Sequence, residues 1–350
     1  MRRLPIFFLL DVSESMIGDN LRQLQQGLER LMTRLRTDPH ALETVFISAI
    51  AFAGKPRTLT PLTELGSFYP PRLPVGSGTS LGAAMNHLMD EIDRSVHKST
   101  PERKGDWKPV VYLMTDGKPT DDMAPALERW KHSYASRVTL VAIGIGAHVS
   151  ASLLQELTPH VLQLDAKGDD DFKRFVDWVS MSISAQSRSV SAIRSEGVSL
   201  AKLDDKILKK VDDLEQATAL DEDFVILTGR CQNNRLPYLI RYERQPQKLE
   251  RPGFSLNVDQ YRLTGVFPVE KEYFDLSDNR VMTRTVNSDL LAGSPGCPHC
   301  GNPIGFAICA CGQLMCLRGP GEATCPSCEQ TGNFGMSADG EGFDVTRSRG

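Results

Sequence analysis

The sequence predicts an α/β fold, a doubly wound and mostly parallel sheet, followed by a small β-rich zinc-binding domain. Residues 4–10 form an unbroken apolar run, which is typical of a central strand of a parallel sheet because both faces of such a strand are buried. Similar runs alternate with apolar residues at helical spacing, which favours a doubly wound sheet. Seven of the eight cysteines lie between Cys297 and Cys328. In a reducing compartment this clustering indicates metal binding and not disulfides.

The length, the charge and the apolar runs of the chain limit the classes of protein to which it can belong. A length of 350 residues predicts two or three domains, and the formal charge of -4 argues against a general nucleic-acid-binding protein. Arg2 and Arg3 precede the first apolar run, but Asp11 ends that run at the short end of the roughly 7–15 residues found in signal peptides, and no small-residue cleavage site follows. No other run approaches the roughly 18 apolar residues of a membrane span. We therefore expect a cytoplasmic protein without a membrane span.

The first half alternates strands and helices. Leucines at helical spacing predict a helix over residues 20–36, which Asp38-Pro39 should end. The β-branched and aromatic residues 44–52 predict a strand, and the turn after it predicts a hairpin with an edge strand over residues 57–62. A second helix should start after Ser80. The remaining elements of this half are expected to be strands at residues 110–114, 137–146 and 161–164, and a closing helix with the apolar stripe Phe172, Phe175, Val176, Val179 and Ile183.

Three loops of this half carry oxygen-bearing side chains. Asp11, Ser13 and Ser15 follow the first strand at alternate positions, Thr79 lies in a Gly-Ser-Gly-Thr-Ser loop, and Asp116 follows another buried strand. Ligands of open α/β sheets bind beyond the carboxyl ends of the strands, where these loops project. Hydroxyl and carboxylate oxygens are the ligands that hard divalent cations prefer. The sequence therefore predicts one divalent-cation site built from three loops.

Each later loop also has a simpler explanation by itself. Thr79 or Ser80 can cap the helix that follows, and an Asp-Gly pair such as Asp116-Gly117 is most often a turn. Two core strands each deliver an acidic residue at the same end, and this coincidence favours the metal site.

The three loops, in this order, resemble the von Willebrand factor A domain family over roughly residues 4–185. The resemblance implies a doubly wound sheet flanked by helices and a metal-ion-dependent adhesion site. In this family Mg²⁺ or Mn²⁺ keeps one coordination position open for a Glu or Asp of a partner. All five metal-coordinating positions match, and the ligands implied are Asp11, Ser13, Ser15, Thr79 and Asp116.

We divide the chain by composition. Residues 1–186 are assigned to the first domain, and 187–220 to a helical linker with a serine-rich start. Residues 221–290 are predicted to be a β-rich subdomain, because two strands flank an Asn-Asn turn signal. Residues 291–330 are assigned to a zinc ribbon. Residues 331–350 lack an apolar period and are expected to be a flexible tail.

The cysteine spacing predicts zinc. Two Cys-x-x-Cys pairs, each with proline after the first cysteine, predict one tetrathiolate zinc site with the ligands Cys297, Cys300, Cys325 and Cys328. Three further cysteines lie between the pairs, Cys309, Cys311 and Cys316. Three alternatives stay open for them. They complete a second zinc site with His299 or Cys231 as the fourth ligand, they exchange roles with the outer pairs, or they are buried thiols.

The combination of this cysteine order with the first domain resembles the bacterial tellurite-resistance TerY family over nearly the whole chain. The resemblance implies a cytoplasmic, non-enzymatic adaptor for protein–protein interaction in a stress-response system, with a protein kinase and a PP2C-type phosphatase as partners. It implies Mg²⁺ or Mn²⁺, together with Zn²⁺, as the metals.

Two other functions remain to be weighed. A metal-dependent phosphohydrolase would need a general base beside the ion, and the three loops contain no His or Cys, only Glu14 and Asp121 as candidates. A nucleic-acid-binding zinc ribbon would need basic residues. From residue 290 onward there are three basic and five acidic residues, so phosphate-backbone binding is disfavoured and we expect no nucleic acid as partner.

Overall fold

The protein is represented by a computed structural model. The structure describes residues 2–102, 104–145, 151–164, 169–191, 208–210, 224–251, 254–278, 285–335 and 342–348. The chain forms two compact units, one with residues 1–74 and 79–219, the other with residues 75–78 and 220–350. No helix among the described residues combines the length and the apolar character that a bilayer crossing needs.

The first unit is a seven-stranded sheet with helices. Its strands are β1 (Leu4–Asp11), β2 (Val45–Phe52), β3 (Pro56–Glu64), β4 (Val110–Thr115), β5 (Thr139–Ile145), β6 (Val161–Leu164) and β7 (Leu208–Lys210). Its helices are α1 (Asp19–Leu35), α2 (Pro39–Thr44), α3 (Leu81–Ser95), α4 (Ala124–Ser133), α5 (Ala151–Leu157) and α6 (Asp169–Ser191).

The strand order is β3-β2-β1-β4-β5-β6-β7. Strands β2, β1, β4, β5 and β6 are parallel, and the two edge strands β3 and β7 are antiparallel to their neighbours. The chain winds from β1 to one side of the sheet and continues from β4 to the other side. The predicted doubly wound, mostly parallel sheet is confirmed. The point where the winding reverses lies between β1 and β4, and ligands of such sheets bind there.

Burial explains why these elements form. Every residue of β1 is buried, as expected of a strand with helices on both faces of its sheet. Helix α1 buries one stripe, and at Gly27 it lies so close to α6 that an added Cβ would be 2.5 Å from the ring of Phe172. The helix predicted over residues 20–36 is thus confirmed as an amphipathic helix that packs on the closing helix.

Helix α2 is absent from the sequence prediction, and one other local prediction in this unit is wrong. Asp38-Pro39 ends α1 as expected but also begins α2, because proline suits the first turn and the Asp38 carboxylate accepts hydrogen bonds from the N–H groups of His40 and Ala41 at 3.0 and 3.3 Å. Helix α6 continues to Ser191, past the boundary expected at residue 186. Ser187 is buried with its Oγ 2.7 Å from Thr44 Oγ1, so it is not part of a flexible start.

The predicted linker helix is contradicted where the structure can test it. Strand β7 lies in the middle of this stretch and pairs antiparallel with β6. These residues therefore form a strand that pairs with a distant segment, although the apolar residues of the stretch recur at helical spacing in the sequence. Residues 192–207 and 211–220 of the predicted linker lie outside the described residues.

The second unit is rich in strands. Its elements are β8 (Phe224–Arg230), β9 (Pro237–Arg251), β10 (Phe254–Pro268), α7 (Tyr273–Leu276), β11 (Thr285–Asn287), β12 (Leu291–Ala292), β13 (Ile304–Ile308), β14 (Leu314–Leu317), β15 (Gly321–Thr324), β16 (Thr331–Phe334) and β17 (Asp344–Thr346). Six strands form a sheet in the order β12-β10-β9-β8-β14-β13, β15 pairs with β16, and β11 pairs with β17. The β-rich character is as predicted.

The pairing crosses the divisions that composition suggested. Strands β13 and β14 belong to the expected zinc ribbon, yet β14 pairs with β8 in the main sheet of the unit. The expected flexible tail is wrong for residues 331–334 and 344–346, which form β16 and β17. Val345 is 1% exposed. The tail carries no apolar period because its strands are only three or four residues long, and β17 pairs with β11, which lies far upstream in the sequence.

Candidate metal centres

The first candidate centre lies at the carboxyl ends of β1 and β4, which are neighbours in the sheet with Leu10 opposite Met114. Asp11 is the last residue of β1, and Asp116 directly follows β4. The parallel register therefore brings both acidic residues to the same edge, at the point where the winding of the sheet reverses.

Asp11 is completely buried. Its Oδ1 accepts a hydrogen bond from the Ser13 N–H at 2.9 Å, and its Oδ2 accepts one from Thr115 Oγ1 at 2.5 Å. Burial raises the pKa of Asp11 to about 6, although these hydrogen bonds oppose the rise. A buried carboxylate with few compensating charges suits a site that receives a cation.

The hydroxyls and the second carboxylate form a continuous chain of contacts. Ser13 Oγ lies 3.0 Å from Ser15 Oγ, and Ser15 Oγ donates a hydrogen bond to Asp116 Oδ1 at 2.8 Å. Asn20 donates to the other oxygen of Asp116 at 3.3 Å. Sequence reasoning missed Asn20, because an amide in the first turn of a helix gives no sign of what it contacts.

Thr79 lies beside the same hydroxyls. An added Cβ on Gly117 would be 3.3 Å from Thr79 Oγ1 and 3.7 Å from Ser15 Oγ, so both oxygens border the backbone just after Asp116. The Thr79 loop is held by Thr120, whose Oγ1 accepts from the Thr79 N–H at 3.0 Å and whose N–H donates to the Thr79 carbonyl at 2.8 Å.

Thr79 is not the cap of α3. The N–H groups of Gly82 and Ala83 donate to the carboxylate of Asp121 at 3.1 and 2.8 Å, and the N-cap residue Ser80 makes no side-chain capping bond. Asp121 therefore caps α3, which the simpler explanation had expected of Thr79 or Ser80. The five predicted ligands thus offer two carboxylates and three hydroxyls, a donor set that fits a hard divalent cation.

The cysteines form two further candidate centres. One cluster contains Cys231, Cys297, Cys300 and Cys316, and the other contains Cys309, Cys311, Cys325 and Cys328. Within each cluster the four Sγ atoms lie within 4.8 Å of one another. The predicted site made of the two Cys-x-x-Cys pairs is therefore wrong in its grouping. Each pair belongs to a different cluster, and the inner cysteines complete both.

The sulfur spacing fits zinc. A tetrahedral Zn²⁺ with Zn–S bonds of about 2.3 Å requires sulfur atoms about 3.8 Å apart. The separations are 3.7 Å for Cys300–Cys316, 3.7 Å for Cys309–Cys328 and 3.8 Å for Cys311–Cys325. The residues present can therefore hold two zinc ions, each with four thiolates.

Sheet pairing explains the grouping. Strands β8 and β14 are parallel, and Arg230 lies opposite Met315. Cys231 and Cys316 directly follow these two residues, so they come together. Cys231 is then the fourth member of the first cluster. His299 is not, because its Nε2 lies 2.8 Å from the carbonyl oxygen of Pro237.

Polar groups surround the sulfurs. The Gln232 N–H and the Asn302 amide lie 3.3 and 3.5 Å from Cys316 Sγ, and the Ser327 N–H lies 3.4 Å from Cys325 Sγ. Burial opposes ionisation of Cys325, yet the backbone N–H groups of Cys328 and Ser327 lower its pKa to about 7. Such N–H donors stabilise the thiolate form, which is the form that binds metal.

Four cysteine-containing turns share a backbone feature. In each turn the cysteine carbonyl accepts, at 2.8–3.0 Å, the N–H of a later residue with positive φ. The pairs are Cys231 with Arg235, Cys297 with Gly301, Cys309 with Gly312, and Cys325 with Glu329.

Glycine accepts a positive φ readily, but the left-handed conformation costs an ordinary residue about 1–2 kcal/mol. Arg235 and Glu329 have φ values of 61° and 60° and form an ion pair at 2.9 Å. An exposed pair of this kind contributes about 0–1 kcal/mol. Stability therefore does not explain why these two positions carry charged side chains.

Two family models match the chain. Residues 6–178 match the von Willebrand factor type A domain, and residues 221–350 match the TerY-C metal binding domain. The chain contains a von Willebrand factor type A domain and a TerY-C metal binding domain. The resemblances inferred from the loops and from the cysteine order are confirmed.

Solved structures with a similar fold are von Willebrand A proteins. Proximal thread matrix protein 1 from the mussel byssus is 19% identical over 52% of this chain and 48% of its own, with a TM-score of 0.39. This chain thus spans about half the length of the mussel protein, which has also been solved with a zinc-occupied MIDAS motif. The SpRpn10 VWA domain is 12% identical over 50% of this chain and 94% of its own, with a TM-score of 0.36. A von Willebrand factor type A protein from Catenulispora acidiphila is 13% identical over 80% of this chain and 69% of its own, with a TM-score of 0.40.

Proposed function

We propose that this protein is a non-enzymatic, metal-dependent adaptor for protein–protein interaction. Its first centre would hold Mg²⁺ or Mn²⁺ through Asp11, Ser13, Ser15, Thr79 and Asp116, and an acidic side chain of a partner would dock there. Its two cysteine clusters would hold structural Zn²⁺. Both matched domains are of kinds that typically bind metals or partners, which supports this proposal over an enzyme.

The contact chain from Ser13 through Ser15 to Asp116 is the observation that carries the proposal. Three loops distant in sequence present only oxygen atoms at one edge of the sheet. Two carboxylates balance the charge of one divalent cation, and the three other ligands are neutral hydroxyls. A bound cation would supply a Lewis-acidic point that attracts a further carboxylate.

The chain's own residues prepare this site. The Asp11 carboxylate is held in place by Ser13 and Thr115, so its oxygens are oriented before any ion arrives. Thr120 fixes the Thr79 loop through both of its hydrogen bonds. A preoriented set of ligands loses less conformational entropy on binding.

The partners are part of the proposal. We propose a protein kinase and a PP2C-type phosphatase, in a cytoplasmic response to tellurite or other chemical stress, because the TerY-C match agrees with the family resemblance that implies them. An acidic surface segment of one of these partners is the group that we expect at the first centre.

One observation favours the adaptor over the phosphohydrolase alternative. Asp121, one of the two candidate bases, accepts hydrogen bonds from the first N–H groups of α3 and so caps that helix. A carboxylate used in this way is less suited to accept a proton from a reacting water.

The test compares tagged full-length protein, Asp116→Ala and the control Asp19→Ala in Mg²⁺-containing lysate of the native host. Asp19 is an exposed carboxylate that begins α1, and within the described part of the chain its ion pair is with Arg22 in the same helix turn. We expect mass spectrometry to find the kinase or the phosphatase with wild type and Asp19→Ala, and a loss of at least tenfold with Asp116→Ala. Equal recovery on all three proteins would refute docking at this centre.

A further inference from the structure

The second unit contains a polar pocket of about 780 Å³. Cys300 of the first cysteine cluster and Cys325 of the second both line it, so it lies between the two candidate zinc centres. Its volume is within the range of about 300–1,000 Å³ found for small-molecule sites. The metal-binding roles of the cysteines do not account for a cavity of this size.

The pocket is lined by two guanidinium groups and by no carboxylate among the described residues. These are Arg235 and Arg318, which lie together with the amides of Gln232, Asn233 and Asn302 and with Cys300 and Cys325 of the two clusters. Arg318 is exposed, and no hydrogen bond or ion pair is found for it within the described part of the chain. The pocket therefore offers guanidinium and amide donors, and one guanidinium is not engaged.

Arg235 lies at this pocket in a left-handed backbone conformation, which is unfavourable for residues other than glycine. It has a positive φ, as do Gly301 and Gly312 at the corresponding positions of two other cysteine turns. Its partner Glu329, also with positive φ, is not among the lining residues. Both side chains of this pair are about two-thirds exposed, so the pair stabilises the fold too weakly to explain two strained residues. Strained residues of this kind concentrate at ligand sites.

The chemistry of the donors indicates the ligand. A carboxylate, that of Glu329, already pairs with Arg235. A ligand that takes its place must offer more charge and more acceptor atoms than a carboxylate does. A phosphomonoester carries a charge of about -1.5 to -2 and three acceptor oxygens, and guanidinium groups bind it in a bidentate manner.

We propose that this pocket binds a phosphate group of a larger molecule through Arg235 and Arg318. Glu329 pairs with Arg235 when the ligand is absent and gives way when it binds. The amides of Gln232, Asn233 and Asn302 donate to the rest of the ligand. A free mononucleotide and a phosphorylated side chain of a protein present the same phosphomonoester, and the experiment distinguishes them.

A different role for the arginines must be separated from this one. Four thiolates around one Zn²⁺ leave a net negative charge, which nearby guanidinium groups can balance. If charge balance were the only role of Arg235, its removal would weaken zinc binding and leave phosphate binding unchanged.

The experiment uses the full-length, zinc-loaded protein without added Mg²⁺. Inorganic phosphate, AMP and a phosphoserine peptide with its unphosphorylated form are titrated and followed by calorimetry and by the amide resonances of residues 232–235, 301, 302 and 318. The variants are Arg235→Gly, Arg318→Gln, Glu329→Gly and the charge control Lys271→Ala, which removes an exposed positive charge in the same unit outside the pocket.

We expect Arg235→Gly and Arg318→Gln each to weaken phosphate binding at least tenfold, and Glu329→Gly to tighten it about threefold or more. Both glycine variants should keep two zinc ions per chain and a Tm no lower than wild type, because glycine suits their positive φ. Lys271→Ala should bind as wild type does. Tighter binding of AMP than of the phosphopeptide would identify a nucleotide, and the reverse order a phosphorylated protein.

Three results would overturn the proposal. One is phosphate binding that Arg235→Gly leaves unchanged while the zinc affinity falls, as charge balance requires. Another is an equal loss in Lys271→Ala, which would show attraction to general surface charge. The third is equal affinity for the phosphorylated and unphosphorylated peptides with no shift in the pocket amides.

Discussion

The two units of this protein place their metal ligands differently with respect to their cores. In the first unit the core consists of aliphatic and aromatic side chains from the sheet and helices, and the candidate ligands lie in loops at the edge of the sheet. In the second unit Cys231, Cys297 and Cys316 belong to the hydrophobic core itself, beside Tyr238 and Leu314. Removing a metal should therefore have different consequences in the two units.

The difference follows from how much each unit can bury. A seven-stranded sheet with helices encloses a large apolar core and folds without an ion. The strands β13 to β16 are short, and the smaller core around them contains Cys309 and Cys325. In a small core of this kind the free energy of zinc binding is part of the free energy of folding.

Zinc removal should have the largest effect. We expect a strong zinc chelator to unfold the second unit, because the thiols of each cluster lie within 4.8 Å of one another and belong to small cores whose folding free energy includes that of zinc binding. The first unit should remain folded, as amide resonances of β1, β4 and β5 would show. Metal analysis should give two zinc ions per chain, and Cys316→Ser and Cys325→Ser should each lose one. If the amide resonances of the second unit stay unchanged without zinc, the second unit does not depend on its metal more than the first unit does.

Mg²⁺ should change the stability of the first unit only by binding. At a Mg²⁺ concentration 100 times the Kd, the free energy of unfolding should rise by about 2.7 kcal/mol, measured by urea denaturation. Asp116→Ala should abolish this rise, because Asp116 contacts Ser15 and is one of the five proposed ligands. Asp19→Ala should keep it. A Mg²⁺-dependent rise in Asp116→Ala would place the ion elsewhere.

The contact of α1 with α6 gives a smaller effect that needs no metal. Gly27→Ala would place a methyl group 2.5 Å from the buried ring of Phe172 and 3.0 Å from Val176. We expect a loss of about 1–3 kcal/mol in the free energy of unfolding of the first unit, typical of overpacking. Gly66→Ala is the control, because its added Cβ would make only one ordinary contact, with Leu42 at 3.9 Å.

The helix cap at Asp38 should give the smallest effect. Asp38→Ala should lower the free energy of unfolding by about 1 kcal/mol at neutral pH, because the N–H groups of His40 and Ala41 lose their acceptor. Burial raises the pKa of Asp38, but hydrogen bonds from Ser184, Ala41 and His40 outweigh it and hold the pKa below its usual value of 3.8.

The sign of the pH dependence follows from that lowered pKa. A folded-state pKa below the unfolded value means that the contribution is present above the unfolded pKa and disappears as the pH falls through the folded pKa. The difference between wild type and Asp38→Ala should therefore shrink below about pH 4. Glu43→Ala, an exposed carboxylate in the same helix, should show no such difference.

Much of the first unit could be predicted from local sequence. Buried parallel strands are apolar on both faces, and their helices repeat apolar residues at the helical period, so β1, β4, α1 and α3 appear in the sequence close to their observed bounds. The candidate ligands could be predicted for the same reason. Parallel strands end at one edge, so residues that follow neighbouring strands meet there even when they are far apart in the chain.

The sequence by itself determined the types of candidate metal ligand and the parallel core that carries the first centre. Only the tertiary structure decided that Asp121 and not Thr79 caps α3, that Asn20 supports Asp116, and that the tail forms β17. It also decided which cysteines share a cluster. All eight thiols are chemically equivalent ligands, and the pairing of β14 with β8 brings Cys316 to Cys231. Such long-range pairing is a property of the folded sheet, and no local spacing encodes it.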